Sequence, residues 1–586
     1  MRKMKIVVVD SGINIDTEAG KCVKFAYTIK RNPNTMEWEA VLEDSIDTFG
    51  HGIAVSNIIY GVNSNVEFIS VKIGDGEIDE KGLVYALTYI FENIQTDLIN
   101  ISAGITYIYD CKELSNICQK LHNKGVIVVS AFDNDGAISF PAAFDTVVGV
   151  DVYNEFKDKE KIIFQKNSIV NLLVPNIHYR TIWINKKTII KGTSFACAYI
   201  TGLISLKCDS VEKYNYQHLF DVISSDTRIL PRVTKVTTFE YSPKKVIIFP
   251  LNKESSSLLR FSDELTYKII DVFDERFSGK VGQKHFGYKV KSFDDIDWKK
   301  DFDTIILSCT DHLTHMSGRD YKKEIFLKAK QYNKHIYTFE KINEDYKNLF
   351  YPEISSDNVP HFNCSKLYKT TIPILSVLGT SSKQGKFTLQ RNLISRFNKL
   401  GYNTGAISTE PSGYLFNSDY VFHFGYNSGM NMYPWEIISI LNSMVFNVQN
   451  KGKDILISGC QSSTIHYDNS QLDSFSIMQY SFLLGLQADC VILSVNPHDE
   501  INYIKRTIQF IESLDCGSIL ALVVFPVIAS QSLTGVGYKS RALSKEEMQK
   551  IKKKYTNEFS LPVFDLGNND DMDALTGKRI DYLSLI

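Results

Sequence analysis

Short runs of β-branched residues alternate with stretches of helical periodicity through the first 240 residues of the chain. The strand-like runs lie at 5–9, 66–71, 97–101 and 126–130, and the helical patterns between the later runs lie near 83–94 and 111–123. Parallel strands need connections long enough to hold a helix, so this alternation is typical of a mostly parallel sheet with helices on its faces. We therefore predict an α/β sandwich for this region.

The alternation resumes after a polar, proline-containing connection at about 228–245. Strands at 246–250, 268–271 and 304–308, with a helical segment at 321–332, predict a small Rossmann-like α/β unit. A further α/β unit begins with the strand 374–378 and has later buried strands at 455–457, 490–493 and 521–524. Since 586 residues exceed the size of a single core, we predict three domains, at 1–240, 241–370 and 371–586.

The overall charge and the absence of targeting signals narrow the class of protein. A formal net charge of -2 gives no reason to expect nucleic acid or an anionic membrane as partner. No apolar run approaches the roughly 20 residues of a membrane span, and residues 1–5 lead directly into a strand without a signal peptide. The ten cysteines are scattered, with no CxxC pair. We expect a cytoplasmic protein with reduced thiols and no propeptide before the first strand.

Three side chains at the ends of these elements could perform nucleophilic catalysis. Asp10 ends the first strand, His51 lies between two glycines where a helical pattern begins, and Ser194 follows a Gly-Thr turn before an apolar helix. Taken one at a time, they are more often a strand-end turn residue, a loop residue and a helix cap. Together they supply a carboxylate, a base and a nucleophile in the chain order Asp, His, Ser, which is the order of subtilisin-type proteases.

Residues 1 to about 210 therefore resemble the subtilase family of serine peptidases. The resemblance includes the segment Asn100-Ile101-Ser102-Ala103-Gly104, the loop Ala131-Phe132-Asp133-Asn134-Asp135-Gly136 and the following Phe140-Pro141-Ala142. It implies catalytic roles for Asp10, His51 and Ser194, an oxyanion-binding amide at Asn134, and substrate binding by Ser102, Ala103 and Gly104. Without the resemblance, Asn134 would be read as a turn residue.

The chain departs from the family pattern close to the predicted site. Ala198 stands where proline is common after the nucleophile, Ile53 stands where threonine follows the glycine after histidine, and Phe132-Asp133 replaces the usual Ala-Gly before Asn134. None of these changes removes a catalytic atom. They could reshape the pocket, so they bear on specificity rather than on chemistry.

A glycine-bounded loop opens the third predicted domain. Gly379 ends a strand, and Gly385-Lys386 begins a helical pattern that runs through Leu400. Backbone N–H groups and a lysine in this arrangement can hold phosphate, and the spacing resembles the loop of dethiobiotin-synthetase-like P-loop proteins. That resemblance implies binding of ATP or GTP with Mg²⁺ by Gly379, Gly385, Lys386 and Thr388. A degenerate structural loop is the alternative, because Phe387 separates Lys386 from Thr388.

Two further observations concern the C-terminal half. The strand 455–457 ends in Ser458-Gly459-Cys460, without the acidic residue that commonly organises Mg²⁺, so nucleotide binding without efficient hydrolysis is expected. Residues 245–586 also resemble, diffusely, the clostridial peptide maturation system proteins. Those proteins are encoded with radical-SAM enzymes and small Cys-rich precursor peptides, which this resemblance makes candidate partners.

These patterns predict a cytoplasmic serine endopeptidase of narrow specificity. It would remove the leader of a ribosomally synthesised, modified peptide, gated or guided by its P-loop half, and would need no cofactor or metal for proteolysis. The alternative is a catalytically weak or inactive subtilase-fold scaffold that binds precursor peptide and nucleotide. A third reading, a nucleotide-dependent ligase in the C-terminal half, needs a Mg²⁺ site that the sequence does not complete.

Overall fold

A computed structural model describes the chain over 3–44, 46–76, 78–108, 111–153, 161–207, 216–230, 232–360, 366–424, 430–468, 477–514, 517–531 and 538–583. It divides into two compact units. The first comprises Met1–Val233 and Pro360–Thr371, and the second comprises Thr234–Val359 and Ile372–Ile586. Both are α/β structures built on mostly parallel sheets, as the alternation of strand and helix patterns predicts.

The first unit is a twisted sheet with helices packed on it. Its strands are β1 (Met4–Asp10), β2 (Val23–Arg31), β3 (Trp38–Leu42), β4 (Val66–Lys72), β5 (Leu98–Ile101), β6 (Ile127–Ala131), β7 (Val148–Tyr153), β8 (Ile163–Lys166), β9 (Leu172–Pro175), β10 (Tyr179–Trp183), β11 (Lys186–Ile190) and β12 (Asp226–Ile229). Its helices are α1 (His51–Val62), α2 (Glu80–Asn93), α3 (Cys111–Asn123), α4 (Thr193–Lys207) and α5 (Tyr216–Ile223). The main sheet, over the described residues, has the order β12-β8-β9-β7-β6-β5-β1-β4-β2-β3.

Strand β1 lies inside this sheet and pairs in parallel with β4 and β5. Six of its seven residues are buried, as expected for a strand covered on both faces. Asp10 is the last residue of β1, opposite Lys72 at the end of β4, so the parallel register places it at the carboxyl edge of the sheet. The antiparallel hairpin β10–β11, which the sequence analysis did not anticipate, leads directly into α4.

The second unit begins with a sheet that corresponds to the predicted Rossmann-like region. Its strands are β13 (Lys245–Phe249), β14 (Lys268–Asp274), β15 (Lys284–His285), β16 (Tyr288–Ser292), β17 (Thr304–Leu307), β18 (His335–Thr338) and β19 (Leu349–Phe350). They follow the order β15-β16-β14-β13-β17-β18-β19 in the described residues, and all neighbours except β15 and β16 are parallel. The helices of this region are α6 (Lys253–Arg260), α7 (Asp311–Ser317) and α8 (Tyr321–Gln331).

A second parallel sheet completes this unit and contains the glycine-bounded loop. Its strands are β20 (Ile374–Gly379), β21 (Thr404–Ser408), β22 (Tyr420–Val421), β23 (Ile455–Ser458), β24 (Cys490–Val495), β25 (Ser518–Val524) and β28 (Val563–Asp565), and a separate hairpin is formed by β26 (Val527–Gln531) and β27 (Tyr538–Ala542). Its helices are α9 (Lys386–Lys399), α10 (Pro434–Gln449), α11 (Ile477–Leu486), α12 (Ile501–Ser513), α13 (Lys545–Phe559) and α14 (Asn569–Leu583). The described strands follow the order β22-β21-β23-β20-β24-β25-β28. The predicted α/β class is thus confirmed for both halves.

One short segment departs from the predicted division of the chain. Residues 366–371 belong to the first unit, although the sequence analysis assigns 366–370 to the middle domain and residue 371 to the third. The seven cysteines within the described ranges form no disulfide with one another, while Cys208, Cys364 and Cys516 lie outside those ranges. No helix in the described ranges is both long and apolar enough to cross a membrane.

Candidate active site

An aspartate and a histidine meet at the carboxyl edge of the first sheet. His51 Nδ1 lies 2.8 Å from Asp10 Oδ1 and 3.0 Å from Asp10 Oδ2. The carboxylate also accepts a 2.8 Å hydrogen bond from the Ser11 backbone N–H. The Asp10 side chain is 5% exposed and that of His51 is 20% exposed, so the carboxylate is held inside while the imidazole remains reachable.

The contact depends on a close approach between the end of β1 and the start of α1. A Cβ atom at Gly52 would lie 2.2 Å from the Gly12 carbonyl oxygen, so only glycine fits at position 52. The Gly52 N–H donates to Ser11 Oγ over 2.9 Å. These local contacts bring the first turn of the helix, and with it His51, against Asp10.

A second buried carboxylate, which the sequence analysis missed, fixes the start of α1. Asp47 accepts hydrogen bonds from the backbone N–H groups of Phe49 at 3.0 Å, Gly50 at 2.7 Å and Ile53 at 2.9 Å. Asp47 thereby satisfies N–H groups that a helix start leaves without partners. Asp47 stands four residues before the first helical residue, whereas the usual capping residue stands directly before the helix, where this chain has Gly50, so the standard capping signal does not identify Asp47.

The two carboxylates set the charge state of the histidine. Burial lowers the pKa of His51, but the charge and hydrogen bond of Asp10, with a smaller contribution from Asp47, outweigh burial and raise the pKa above its usual value. Since a histidine acts as a base only when it is neutral, His51 becomes able to accept a proton at a higher pH than a histidine of ordinary pKa.

Ser194 lies in the first turn of α4, where the first backbone N–H groups have no acceptor within the helix itself. The residue before it, Thr193, donates from its backbone N–H and its hydroxyl to Asn134 Oδ1, over 3.1 and 3.0 Å. These bonds use the amide oxygen of Asn134, which leaves the Nδ2 group as the donor for anything bound beside Ser194. Gly192 has φ 143°, and a Cβ there would lie 3.2 Å from Asn134 Oδ1.

Aromatic rings connect the histidine to the serine turn. The His51 ring centroid lies 5.5 Å from that of Phe195, the residue after Ser194, and 6.2 Å from that of Trp183 on β10. Phe49 packs on the other side of Trp183, with ring centroids 6.0 Å apart. The structure thus places Asp10 against His51, and it places the turn that carries Ser194 beside His51, through Phe195, and beside Asn134, through Thr193.

The segment 102–104 adjoins the same site, but its three residues differ in burial and in what they contact. Ser102 is buried, and its hydroxyl contacts the Ser194 carbonyl oxygen at 2.9 Å and Asn100 Oδ1 at 2.9 Å. Its side chain therefore supports the turn that carries Ser194. Ala103 and Gly104 are half-buried, and a Cβ at Gly104 would lie 2.5 Å from Ser139 Oγ.

In the second unit, the glycine-bounded loop joins β20 to α9. Lys386 is buried, and its ammonium donates to the Ser381 carbonyl oxygen over 2.6 Å. Burial lowers the pKa of Lys386, an effect that the nearby Cys460 and Glu410 oppose. Gly385 caps α9 with φ 71°. Gly379, Gly385 and Lys386 therefore surround one loop at a helix N-terminus, which is a favourable setting for an anion.

Thr388 is placed differently from these three residues. Its hydroxyl accepts a 3.1 Å hydrogen bond from Arg260 Nη1 on α6, while Phe387, the residue directly after the lysine, packs on Phe416 with ring centroids 5.5 Å apart. Within the described ranges, no group of three His, Cys, Asp or Glu side chains could hold a metal ion.

The first unit thus has the architecture of a subtilisin-like α/β fold, with an Asp-His pair and a serine turn at the carboxyl edge of its sheet. The chain is 28% identical over 214 residues to alkaline protease 1 of Aspergillus clavatus, a match that covers 33% of this chain and 49% of that protein. It is 27% identical over 223 residues to the minor extracellular protease Epr of Bacillus subtilis, covering 35% and 32% respectively. The chain spans about half or less of the length of these relatives.

Residues 361–576 match a P-loop domain of unknown function, DUF1611. A solved DUF1611 family protein from Anabaena variabilis aligns with 58% of this chain and all of that chain, at 13% identity and a TM-score of 0.39. A solved lanthipeptide protease aligns with 37% of this chain and 78% of that chain, at 17% identity and a TM-score of 0.31. The curated relatives confirm the resemblance to subtilisin-like proteases, and the family match over 361–576 confirms the P-loop domain in the C-terminal part.

Proposed function

We propose that the chain is a serine endopeptidase that uses Asp10, His51, Ser194 and Asn134. The observation that carries the proposal is the 2.8 Å contact between His51 and a buried Asp10, next to a helix that begins at the Gly192-Thr193-Ser194 turn. The similarity of the chain to two curated proteases supports the same assignment.

In the proposed reaction, Ser194 Oγ forms a bond to the carbonyl carbon of a peptide and passes its proton to His51 Nε2. The carbonyl oxygen becomes an oxyanion, which accepts hydrogen bonds from Asn134 Nδ2 and the Ser194 backbone N–H. His51 then protonates the leaving amine as the C–N bond breaks. Water, deprotonated by His51, releases the acyl group and regenerates the Ser194 hydroxyl.

The substrate we propose is a ribosomally made, modified peptide from which the enzyme removes a leader in the cytoplasm. The aromatic wall of Phe49 and Trp183 beside His51 supports a restricted choice of residue next to the scissile bond. Guidance by the P-loop unit, a Cys-rich precursor and radical-SAM partner enzymes stay predictions of the sequence resemblance.

The assignment of Ser194 can be tested by covalent labelling. A fluorophosphonate probe is expected to label the wild-type protein on Ser194, because the probe reacts only with a serine activated by a neighbouring base. The measurement is the mass of the labelled peptide after digestion. Ser194→Ala should abolish labelling, whereas the buried Ser205→Ala, on the same helix, should leave it intact; equal labelling of Ser194→Ala and wild type would refute the proposal.

A second candidate activity is nucleotide binding by the loop between β20 and α9. The buried Lys386 on a glycine-bounded loop favours it. Lys386→Ala is expected to remove binding of ATP or GTP measured by calorimetry with Mg²⁺, because the lysine would be the group that reaches the phosphates. Thr388→Ala should weaken binding little, since its hydroxyl is engaged by Arg260. Unchanged binding in Lys386→Ala would exclude this loop as the site.

A further inference from the structure

The range that matches the P-loop domain, 361–576, includes a short segment that folds as part of the first unit. Residues 366–371, here called the strap, lie within the matched range 361–576, yet they belong to the first unit. Residue Ile372 returns to the second unit, and β20 begins two residues later at Ile374. The chain therefore passes through the protease-like unit immediately before it forms the strand that carries the glycine-bounded loop.

The strap is joined to the first unit by a buried ion pair. Lys366 Nζ lies 3.0 Å from Asp151 Oδ2 on β7, and the two side chains are only 8% and 10% exposed. A charge buried to this extent is costly unless it is paired, so each of these two groups depends on the other. The same ammonium lies 5.6 Å from the ring centroid of Phe132, a distance typical of a cation–π contact.

The backbone of the strap makes a second connection at Ala137 and Ile138, five and six residues after Phe132 in the sequence. The Ile138 N–H donates to the Leu367 carbonyl oxygen over 3.0 Å, and Ala137 and Leu367 form a parallel β-bridge. Farther along the strap, the Lys369 ammonium lies 5.0 Å from the ring centroid of Tyr107, and burial raises the pKa of Tyr368 to about 12. The strap is thus packed into the unit along its length.

These two connections lie on either side of Asn134. Phe132 precedes Asn134 by two residues, and Ala137 follows it by three. The loop between them is closed by Asp133, whose carboxylate accepts from the N–H groups of Asp135 at 3.0 Å and Ala137 at 3.3 Å. Asn134 itself is exposed. Besides the two hydrogen bonds from Thr193 to its amide oxygen, its position depends on how its two flanks are held.

We propose that Lys366 is a positioning residue for the oxyanion-binding amide. The strap fixes both flanks of the 132–138 loop, and Lys366, through Asp151 and Phe132, keeps Asn134 where it can donate to the oxyanion. The proposal rests on the proposed protease function. A segment within the range that matches the P-loop domain would then help to position a catalytic group of the protease. Such positioning matters because displacement of a catalytic group by about 1 Å can cost roughly a hundredfold in rate.

The test compares rates of fluorophosphonate labelling in the full-length chain. Lys366→Met is expected to slow labelling by roughly ten- to a hundredfold, and Lys366→Arg should restore most of the rate because it keeps the cation. Lys369→Met, on the same strap, is the matched control and should label at the wild-type rate. Lys366→Met alone leaves the Asp151 carboxylate buried and unpaired. If this single variant fails to fold, the double variant Lys366→Met with Asp151→Asn, which removes both charges, takes its place in the test.

The background variant Asn134→Ala separates positioning from a general structural effect. If Lys366 acts through Asn134, adding Lys366→Met to Asn134→Ala should cause no further loss, since contacting residues in one network are not additive. An equal loss on adding Lys366→Met to the wild type and to Asn134→Ala would overturn this inference but not the protease function. A wild-type labelling rate in the folded variant that carries Lys366→Met and Asp151→Asn would do the same. A wild-type protein that is not labelled on Ser194 would overturn the protease function and this inference with it.

Discussion

Asp10→Asn is expected to lower kcat by about 10⁴ while leaving the protein folded. Asn is close to Asp in size, so it can keep the packing at the end of β1. Its amide, however, can donate to His51 Nδ1, which would hold the imidazole in the tautomer that presents a protonated Nε2 to Ser194. A histidine in that tautomer cannot accept the serine proton, and the negative charge that would stabilise the imidazolium is lost as well.

The same variant should change the pH dependence in a defined direction. Asp10 raises the pKa of His51, and the wild-type rate therefore increases with pH as His51 loses its proton at that raised pKa. Removing the charge lowers this pKa, so the acid limb of the residual kcat/KM profile should move to lower pH. The measurement is the rate of peptide cleavage between pH 5 and 9.

Asp16→Asn provides a control, because Asp16 is exposed and follows the same strand. It should retain the wild-type rate and pH profile. An Asp10→Asn variant that loses less than tenfold in kcat, with its acid limb unmoved, would show that Asp10 does not govern His51 during the reaction.

Asn134→Ala is expected to reduce kcat by about 10² to 10³ with little change in KM. The amide would contact the oxygen of the substrate strongly only after that oxygen becomes negatively charged, so its loss affects the transition state more than binding. Alanine also removes the acceptor of the two hydrogen bonds from Thr193. Steady-state kinetics on one peptide substrate would separate the two parameters.

Asp135→Ala is a suitable comparison, because Asp135 is the next exposed residue of the same loop. It should change kcat by less than a factor of about three, as expected for a surface substitution away from the reacting atoms. If Asn134→Ala instead raised KM and left kcat intact, Asn134 would be a ground-state binding residue and the oxyanion would need a different donor.

The candidate catalytic residues could be found from the sequence because each one stands at the end of a strongly patterned element. The apolar run before Asp10, the glycines around His51 and the Gly-Thr turn before Ser194 are local signals, and the order of the three residues joins them. In the structure Asp10 contacts His51, and Phe195, the residue after Ser194, packs beside the His51 ring. The α/β class is confirmed. Their roles in catalysis stay predictions until the variants are measured.

Other features depend on contacts between distant residues and carry no local signal. The Lys366–Asp151 pair joins positions in separate predicted domains, and nothing in the polar residues around Lys366 indicates a buried partner. The direction of the Ser102 side chain, toward the Ser194 carbonyl rather than an open cleft, follows from the packing of α4. The position of Thr388 two residues after Lys386 predicts a phosphate ligand, whereas in the structure its hydroxyl accepts a hydrogen bond from Arg260 on α6.

The first unit is built from two stretches of the chain that are far apart in sequence, so translation completes it in two stages. Lys366 follows Ser194 by 172 residues in the sequence. At roughly 5 to 20 residues per second, the ribosome needs about ten to thirty seconds to cover that distance. The nascent chain therefore exposes the complete set of Asp10, His51 and Ser194 well before the strap exists, and we expect proteolytic competence to appear late in translation rather than when Ser194 emerges.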